Sequence, residues 1–144
     1  MKMKNNKLVT ILLVVIVLIT LIGAALFVFV TKFNQPQVTT EPPIDKIVEA
    51  SVDVPEVMTN LADKRVVKVA LKIQTTSKAA AEELTKRNFQ INNIIIEELS
   101  EMTFENLEGK QGKQMFKKAV KTKLNELMQE GEVKEVYLTS FITS

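Results

Sequence analysis

Residues 8–31 contain no charged side chain, and this run constrains the chain more than any other feature. As a helix, 24 residues rising about 1.5 Å each reach roughly 36 Å, enough to cross a hydrocarbon core of about 30 Å with some tilt. The run is rich in Val and Ile, which disfavour helices in water. In lipid, a lone span can satisfy its backbone only as a helix, so the apolar solvent overrides that preference. A cleaved signal peptide is the competing reading, since lysines precede the run. A signal core is shorter, about 7–15 residues, and ends at small residues. Here Gly23-Ala24-Ala25 is followed by the apolar Leu26-Phe27-Val28-Phe29-Val30, which favours an uncleaved anchor.

The flanks give the orientation. Lys2, Lys4 and Lys7 precede the span and Lys32 follows it. The positive-inside rule then puts residues 1–7 in the cytoplasm and everything beyond residue 31 outside. Setting those four lysines aside leaves 15 basic residues of 19 against all 17 acidic ones, a balance near −2. The outer part therefore lacks the basic excess of a nucleic-acid binder. No ionisable group lies within the span, so it supplies no proton or ion relay by itself. Gly23 and Ala24 are candidates for close helix packing, although no GxxxG is present.

Residues 33–43, FNQPQVTTEPP, hold three of the four prolines and show no apolar period. They read as an extended linker. The division expected is residues 1–7 inside, 8–31 in the membrane, 32–43 as linker and 44–144 as one folded domain.

Within that domain, Val48, Ala50, Val52 and Val54 alternate with polar residues and predict a strand ended by Pro55. Residues 59–64 read as a turn. Residues 65–76 give the clearest strand, with Val67, Val69, Leu71 and Ile73 on one face. Ser77 is a good N-cap for a helix over residues 78–102, carried by Leu84, Ile91, Ile94, Ile95, Leu99 and Met102. Thr103 caps a short turn, Gly109 and Gly112 break the chain, and a second helix spans residues 113–130 with Phe116, Val120, Leu124 and Leu127 on one side. Gly131 is its stop. A last strand covers residues 133–142, where Val136, Leu138 and Ile142 alternate against Tyr137 and Phe141, so both faces look partly covered. The expectation is an α+β domain of three to four strands with two main helices packed on the sheet.

The chain has no Cys and no His. This removes thiol nucleophiles, thiolate metal sites and the commonest acid/base group at neutral pH. Glu97, Glu98, Glu101, Glu105 and Glu108 are the carboxylates left for acid/base work or a hard cation, against the plainer reading of a solvated helix face. ENLEGKQGKQ is not a phosphate-binding loop, lacking Gly-Lys-Ser/Thr. A nucleophile paired with a base is missing too, so an enzyme is disfavoured. The basic run is more telling: Lys110, Lys113, Lys117, Lys118, Lys121 and Lys123 fall within 14 residues that contain no acid. Lys113, Lys117 and Lys121 share a helical face. They either pair inside the fold with the acidic end of the first helix, or meet an acidic protein surface or anionic lipid.

The order of parts, with TNLAD, RVVKVALKI, the stretch of residues 91–113 carrying Ser100, Thr103-Phe104-Glu105, Leu107, Gly109 and Gly112-Lys113, and a closing VKEVYLTSFI, resembles the FliL family of flagellar basal-body-associated membrane proteins. Leu138 stands where an aromatic is common and Ser140 where an acid is common. The resemblance implies a non-enzymatic motor component beside the ion-driven stator units, supporting torque and swarming. It also implies an outer domain of the stomatin (SPFH) type that assembles into rings, with no cofactor, nucleic acid or small-molecule substrate. On that basis Gly23 and Ala24 are candidate contacts to stator helices and Phe33 a candidate stator or linker contact. Lys113, Lys117 and Lys121 of one copy would face Glu97, Glu101 and Glu105 of the next. From the residues alone, a membrane-anchored binding or sensor domain unrelated to motility stays open.

Overall fold

The computed structural model describes residues 2–33 and 40–144. The chain divides into two compact units, Met1–Glu41 and Pro42–Ser144.

The first unit is one helix, α1 (Lys2–Phe33). Its 27-residue stretch Asn6–Lys32, with an 18-residue window of mean hydropathy 3.3, is long and apolar enough to cross a membrane. Its three threonine hydroxyls bond back onto the helix itself. Thr10 donates to the Asn6 carbonyl at 2.6 Å, Thr20 lies 2.8 Å from that of Val17, and Thr31 lies 3.1 Å from that of Val28. This back-bonding leaves apolar surface outward all round. Gly23 and Ala24 lie on that surface, and a Cβ added at Gly23 would meet nothing within 4 Å. Residues 34–39 of the expected linker, and the Phe33 side chain proposed as a contact, lie outside the described residues.

The second unit runs α2 (Ile44–Glu49), β1 (Ser51–Asn60), β2 (Val66–Thr75), α3 (Lys78–Lys86), α4 (Asn88–Glu101), α5 (Phe104–Glu108), α6 (Lys110–Leu127) and β3 (Val133–Thr143). The strands form one antiparallel sheet in the order β1-β2-β3. The α+β class and the three strands are as expected. The clearest strand behaves as its alternation requires: Val67, Val69, Leu71 and Ile73 are buried toward the helices. On the open face Lys72 reaches Asp53 at 2.9 Å and Lys68 reaches Glu56 at 3.4 Å. Such exposed cross-strand pairs contribute about 0–1 kcal/mol each. On the covered face, α4 lies against β1 and α6 against β3, and the two helices pack on each other. Ile91, Ile95, Leu99, Leu107, Phe116, Val120 and Leu124 complete one core with Val54, Leu61 and Val136.

Several boundaries differ from expectation. Val48 and Ala50 are not in a strand. Ile44, Ile47 and Val48 also fit helical spacing, and α2 forms after Pro43, closed by the Ala50 N–H on the Lys46 carbonyl at 3.0 Å. Nor does Pro55 end β1. The register shifts between Val54 and Val57, a bulge on an edge strand, where a residue without an N–H is tolerated. The strand continues to Asn60, and the turn is residues 61–65, closed by the Leu61 N–H on the Arg65 carbonyl at 2.8 Å.

The long first helix is two helices that break at Arg87 (φ −90°, ψ 16°). No Gly or Pro marks the break. Arg87 spans it by pairing with Glu83 at 2.8 Å and Gln90 at 2.9 Å. In β3 a bulge opposite Ala70/Leu71 inverts the alternation. Phe141 consequently packs on the core while Ile142 is 55% exposed.

Gly112 is not a helix breaker. It lies in the first turn of α6, which begins at Lys110 and ends at Leu127. A Cβ built there would lie 1.5 Å from the Asn106 carbonyl oxygen, so the two helices touch backbone to backbone. Gly131 has φ +70° and serves the turn into β3, beyond the C-cap Met128. At Gly109 an added Cβ would meet nothing within 4 Å. Gly112→Ala must therefore force α5 and α6 apart and is expected to cost at least the upper end of the about 1–3 kcal/mol typical of overpacking. Gly109→Ala should stay within about 1 kcal/mol, a helix-terminus change with free space around it. Urea unfolding of both variants checks the contrast. Equal midpoints would contradict the close crossing.

Candidate functional site

The segments that carry the sequence resemblance meet in space. Leu61, at the tip of the β1–β2 hairpin, is buried, and its neighbour Ala62 donates its N–H to the Met102 carbonyl at 3.0 Å. Thr103 and Asn106 form a capping box, the Thr103 hydroxyl accepting from the Asn106 N–H and the Asn106 side chain accepting from the Thr103 N–H. The next N–H, that of Phe104, goes to Asp63 of the hairpin at 3.0 Å, and the Arg65 guanidinium lies 4.2 Å from the centre of the Phe104 ring. Leu107 is fully buried beneath. These residues lock the hairpin to α5 and carry no reactive pair; their role is architectural.

Two carboxylates act as tertiary caps. The Phe104 N–H, with smaller help from Arg65, holds the Asp63 carboxyl below its usual range. Glu83 accepts from the N–H groups of Glu130 at 2.6 Å and Gln129 at 3.1 Å while binding Arg87. The Glu130 N–H is the largest cause of its lowered pKa. Sequence reading missed both roles. Their partners lie 41 and 47 residues away, and neither residue belongs to a local capping pattern.

The predicted interaction residues separate into two stripes. On α4 and α5, Glu97, Glu101 and Glu105 are exposed, and Glu97 accepts from Asn93 at 3.0 Å. Glu98 turns to α6, where it pairs with Lys123 at 2.5 Å and raises the lysine pKa. Pairing of the basic run inside the fold is thus realised at Lys123. On α6, Lys113 and Lys121 are half-buried along β3. Lys113 donates to the Glu108 carbonyl at 3.0 Å and lies 4.7 Å from the Phe141 ring centre. Lys121 donates to the Lys134 carbonyl at 2.8 Å. Among the described residues, Lys110, Lys113, Lys117, Lys118 and Lys121 have no carboxylate within 4.0 Å. Glu97, Glu101, Glu105 and Glu108 likewise have no cation within that distance. The geometry therefore keeps positive α6 and negative α4–α5 as two surfaces that meet at Lys123, whose pKa Glu97 and Glu101 also help to raise. Among the described residues no acidic group gathers into a metal-holding set. A cleft of about 440 Å³ at the end of the sheet, lined by Lys46, Glu49, Thr75, Ser77, Lys78 and Lys134, contains charges of both signs.

The family described as flagellar basal body-associated protein FliL matches residues 51–143. The flagellar protein FliL of Bacillus subtilis (strain 168) is 41% identical over 120 residues, covering 83% of this chain and 85% of that protein.

Both caps make stability depend on pH in one direction. Because Asp63 and Glu83 titrate lower in the folded protein than their ordinary values of 3.8 and 4.5, their contribution is complete at neutral pH. It is lost as pH falls through and below that range. The melting temperature should stay level from about pH 7 to pH 5 and then decline. In the double variant Asp63→Asn, Glu83→Gln, the acid decline should be shallower and the neutral melting temperature lower. A decline identical to that of the unaltered chain would refute the assignment.

Proposed function

The chain belongs to the FliL family of flagellar basal body-associated proteins, and from that membership we propose that it is a membrane-held accessory of the flagellar motor's stator units. The observation that carries the reading is the family match across residues 51–143, almost the whole second unit. In this reading α1 crosses the cytoplasmic membrane once. Residues 1–7 are cytoplasmic, 8–31 lie in the bilayer, 32–43 link, and 44–144 form a stomatin-type domain on the outer side. The apolar surface of α1 and the lysines before it support that placement.

The protein works by position and not by catalysis. It braces stator units and supports torque and swarming, with Gly23 and Ala24 packing against stator helices and the region of Phe33 lying where the span emerges. Copies associate head to tail, positive α6 of one toward negative α4–α5 of the next. A heterologous contact of this kind closes into a ring when its rotation permits. The segregated charges described above support the polarity of that contact, and oppositely charged surfaces orient an encounter more than they hold it.

The absence of Cys makes any introduced thiol unique. A photocrosslinker attached at Phe33→Cys, Thr59→Cys or Lys117→Cys in living cells should capture stator membrane subunits and give ladders of the protein itself. Capture of unrelated envelope proteins without a ladder would replace this reading with that of an anchored binding domain.

A further inference from the structure

The second unit contains four phenylalanines, and three are accounted for. Phe116 is in the core. Phe104 lies under Arg65 and Phe141 under Lys113. Phe89, near the start of α4, is 72% exposed, and no cation covers its ring. Ile96, two turns further along the same helix, is 40% exposed. A large aromatic and an aliphatic side chain thus stand in water on α4, on a line flanked by the exposed Glu97 and Glu101. On α6, Lys117 and Lys118 have neither a carboxylate nor a ring as partner, whereas Lys113 and Lys121 are held against β3. All three lysines of the predicted Lys113, Lys117, Lys121 face are half-buried, and among the described residues Lys117 has no carboxylate within 4.0 Å.

We propose that the contact between copies seats the Phe89–Ile96 stripe of α4 in one protomer on the Lys110, Lys117, Lys118 stripe of α6 in the next, with the Phe89 ring taking a lysine ammonium. The inference rests on the self-association reading and assigns its interface. Complementary charge selects a second copy as the occupant. One stripe is acidic and the other basic; Glu97 and Glu101 act on Lys123 of their own chain only beyond ion-pair distance, and among the described residues Lys110, Lys117 and Lys118 have no carboxylate within 4.0 Å. The apolar part of the contact comes from lysine stems, which cover aromatic and aliphatic surface while their ammonium groups stay near solvent. A cation over an aromatic ring at an exposed site stabilises weakly but directionally. The unit already uses this device twice internally, at Phe104 and Phe141. Glu97 and Glu101, about 12 and 18 Å further along α4 from Phe89, then meet the remaining lysines.

The test uses the full chain in membranes, with Asn93→Cys and Gln114→Cys placed beside the two stripes. Both positions are exposed. Asn93 borders a groove with Lys123, nine residues along α6 from Gln114. That separation is roughly 13 Å, too far for a disulfide within one chain. Mild oxidation should give dimers when the two single variants are co-expressed, ladders from the double variant, and neither from a single variant alone. Adding Phe89→Ala should lower the crosslinked fraction by roughly tenfold, as loss of an interface anchor does, and Lys117→Glu should do the same. Combining Lys117→Glu with Glu97→Lys should restore crosslinking.

Dimers from a single variant would mean a symmetric contact and overturn the proposal. Absence of ladders, while the unaltered chain still oligomerises under a lysine-reactive crosslinker, would overturn this interface and leave self-association standing. A chain that is monomeric in both assays would overturn the self-association reading as well. A fluorophore at Gln114→Cys that responds to phosphatidylglycerol vesicles, with no ladder formed, would assign the lysine stripe to lipid and overturn the proposal.

Discussion

The close crossing of α5 and α6 at Gly112 is the constraint on which the helical side of the domain depends. With only hydrogen at that position, the first turn of α6 rests on the Asn106 carbonyl. Any side chain would push α6 away from α5. The crossing sets how Phe116, Val120 and Leu124 enter the core, each of them essentially without solvent exposure. The site it rests on is itself held from outside the helical segment, because Asp63 of the hairpin caps α5 across 41 residues. The order of dependence runs from hairpin to α5 to α6, and the charged surface of α6 is displayed at the end of it.

How much of this was legible follows from the range of each interaction. The membrane-length helix, strand β2 and the Ser77 cap depend on neighbours within a few residues, and all three read directly from spacing and residue type. The break at Arg87 did not, because it is set by a guanidinium bridging Glu83 and Gln90 in place of a helix-breaking residue. Nor did the inward turn of Phe141, since a bulge shifts every later side chain of β3 to the other face. Gly112 was visible but misread. A glycine needed for close approach and a glycine that stops a helix look the same until the neighbouring element is placed. The acidic and basic runs were legible as charge. Which lysines remain free depended on where β3 lies, and no local pattern encodes that.

Separating charge in this way costs the folded monomer little. Exposed charges are solvated whether or not they are paired, and an exposed pair adds about 0–1 kcal/mol. Folding alone would not favour five lysines on one helix face against acids kept on another. A surface arranged so becomes useful when a second surface of opposite sign approaches, because orientation and register are then set before contact. The Lys123–Glu98 pair joins α6 to α4, as Arg87–Glu83 joins α4 to α3. The same interaction type thus does two jobs at two positions, and burial between helices is what separates them.

An interface built from one exposed ring, one aliphatic side chain and a few solvated charges is weak in free solution. Each cation–π contact at an exposed site gives about 0.5–1 kcal/mol, and association costs several kcal/mol of lost freedom. A membrane helix alters that balance without adding a contact. In the proposed assembly, copies confined to one plane by α1 would meet at a far higher effective concentration than in solution. Confinement would also remove most orientations that a head-to-tail contact otherwise has to exclude. On that reading the apolar helix and the segregated charges, which share no residue, act on one equilibrium: α1 supplies concentration and the two stripes supply polarity. A contact that is weak on its own terms would then form among copies held in the same membrane and stay reversible.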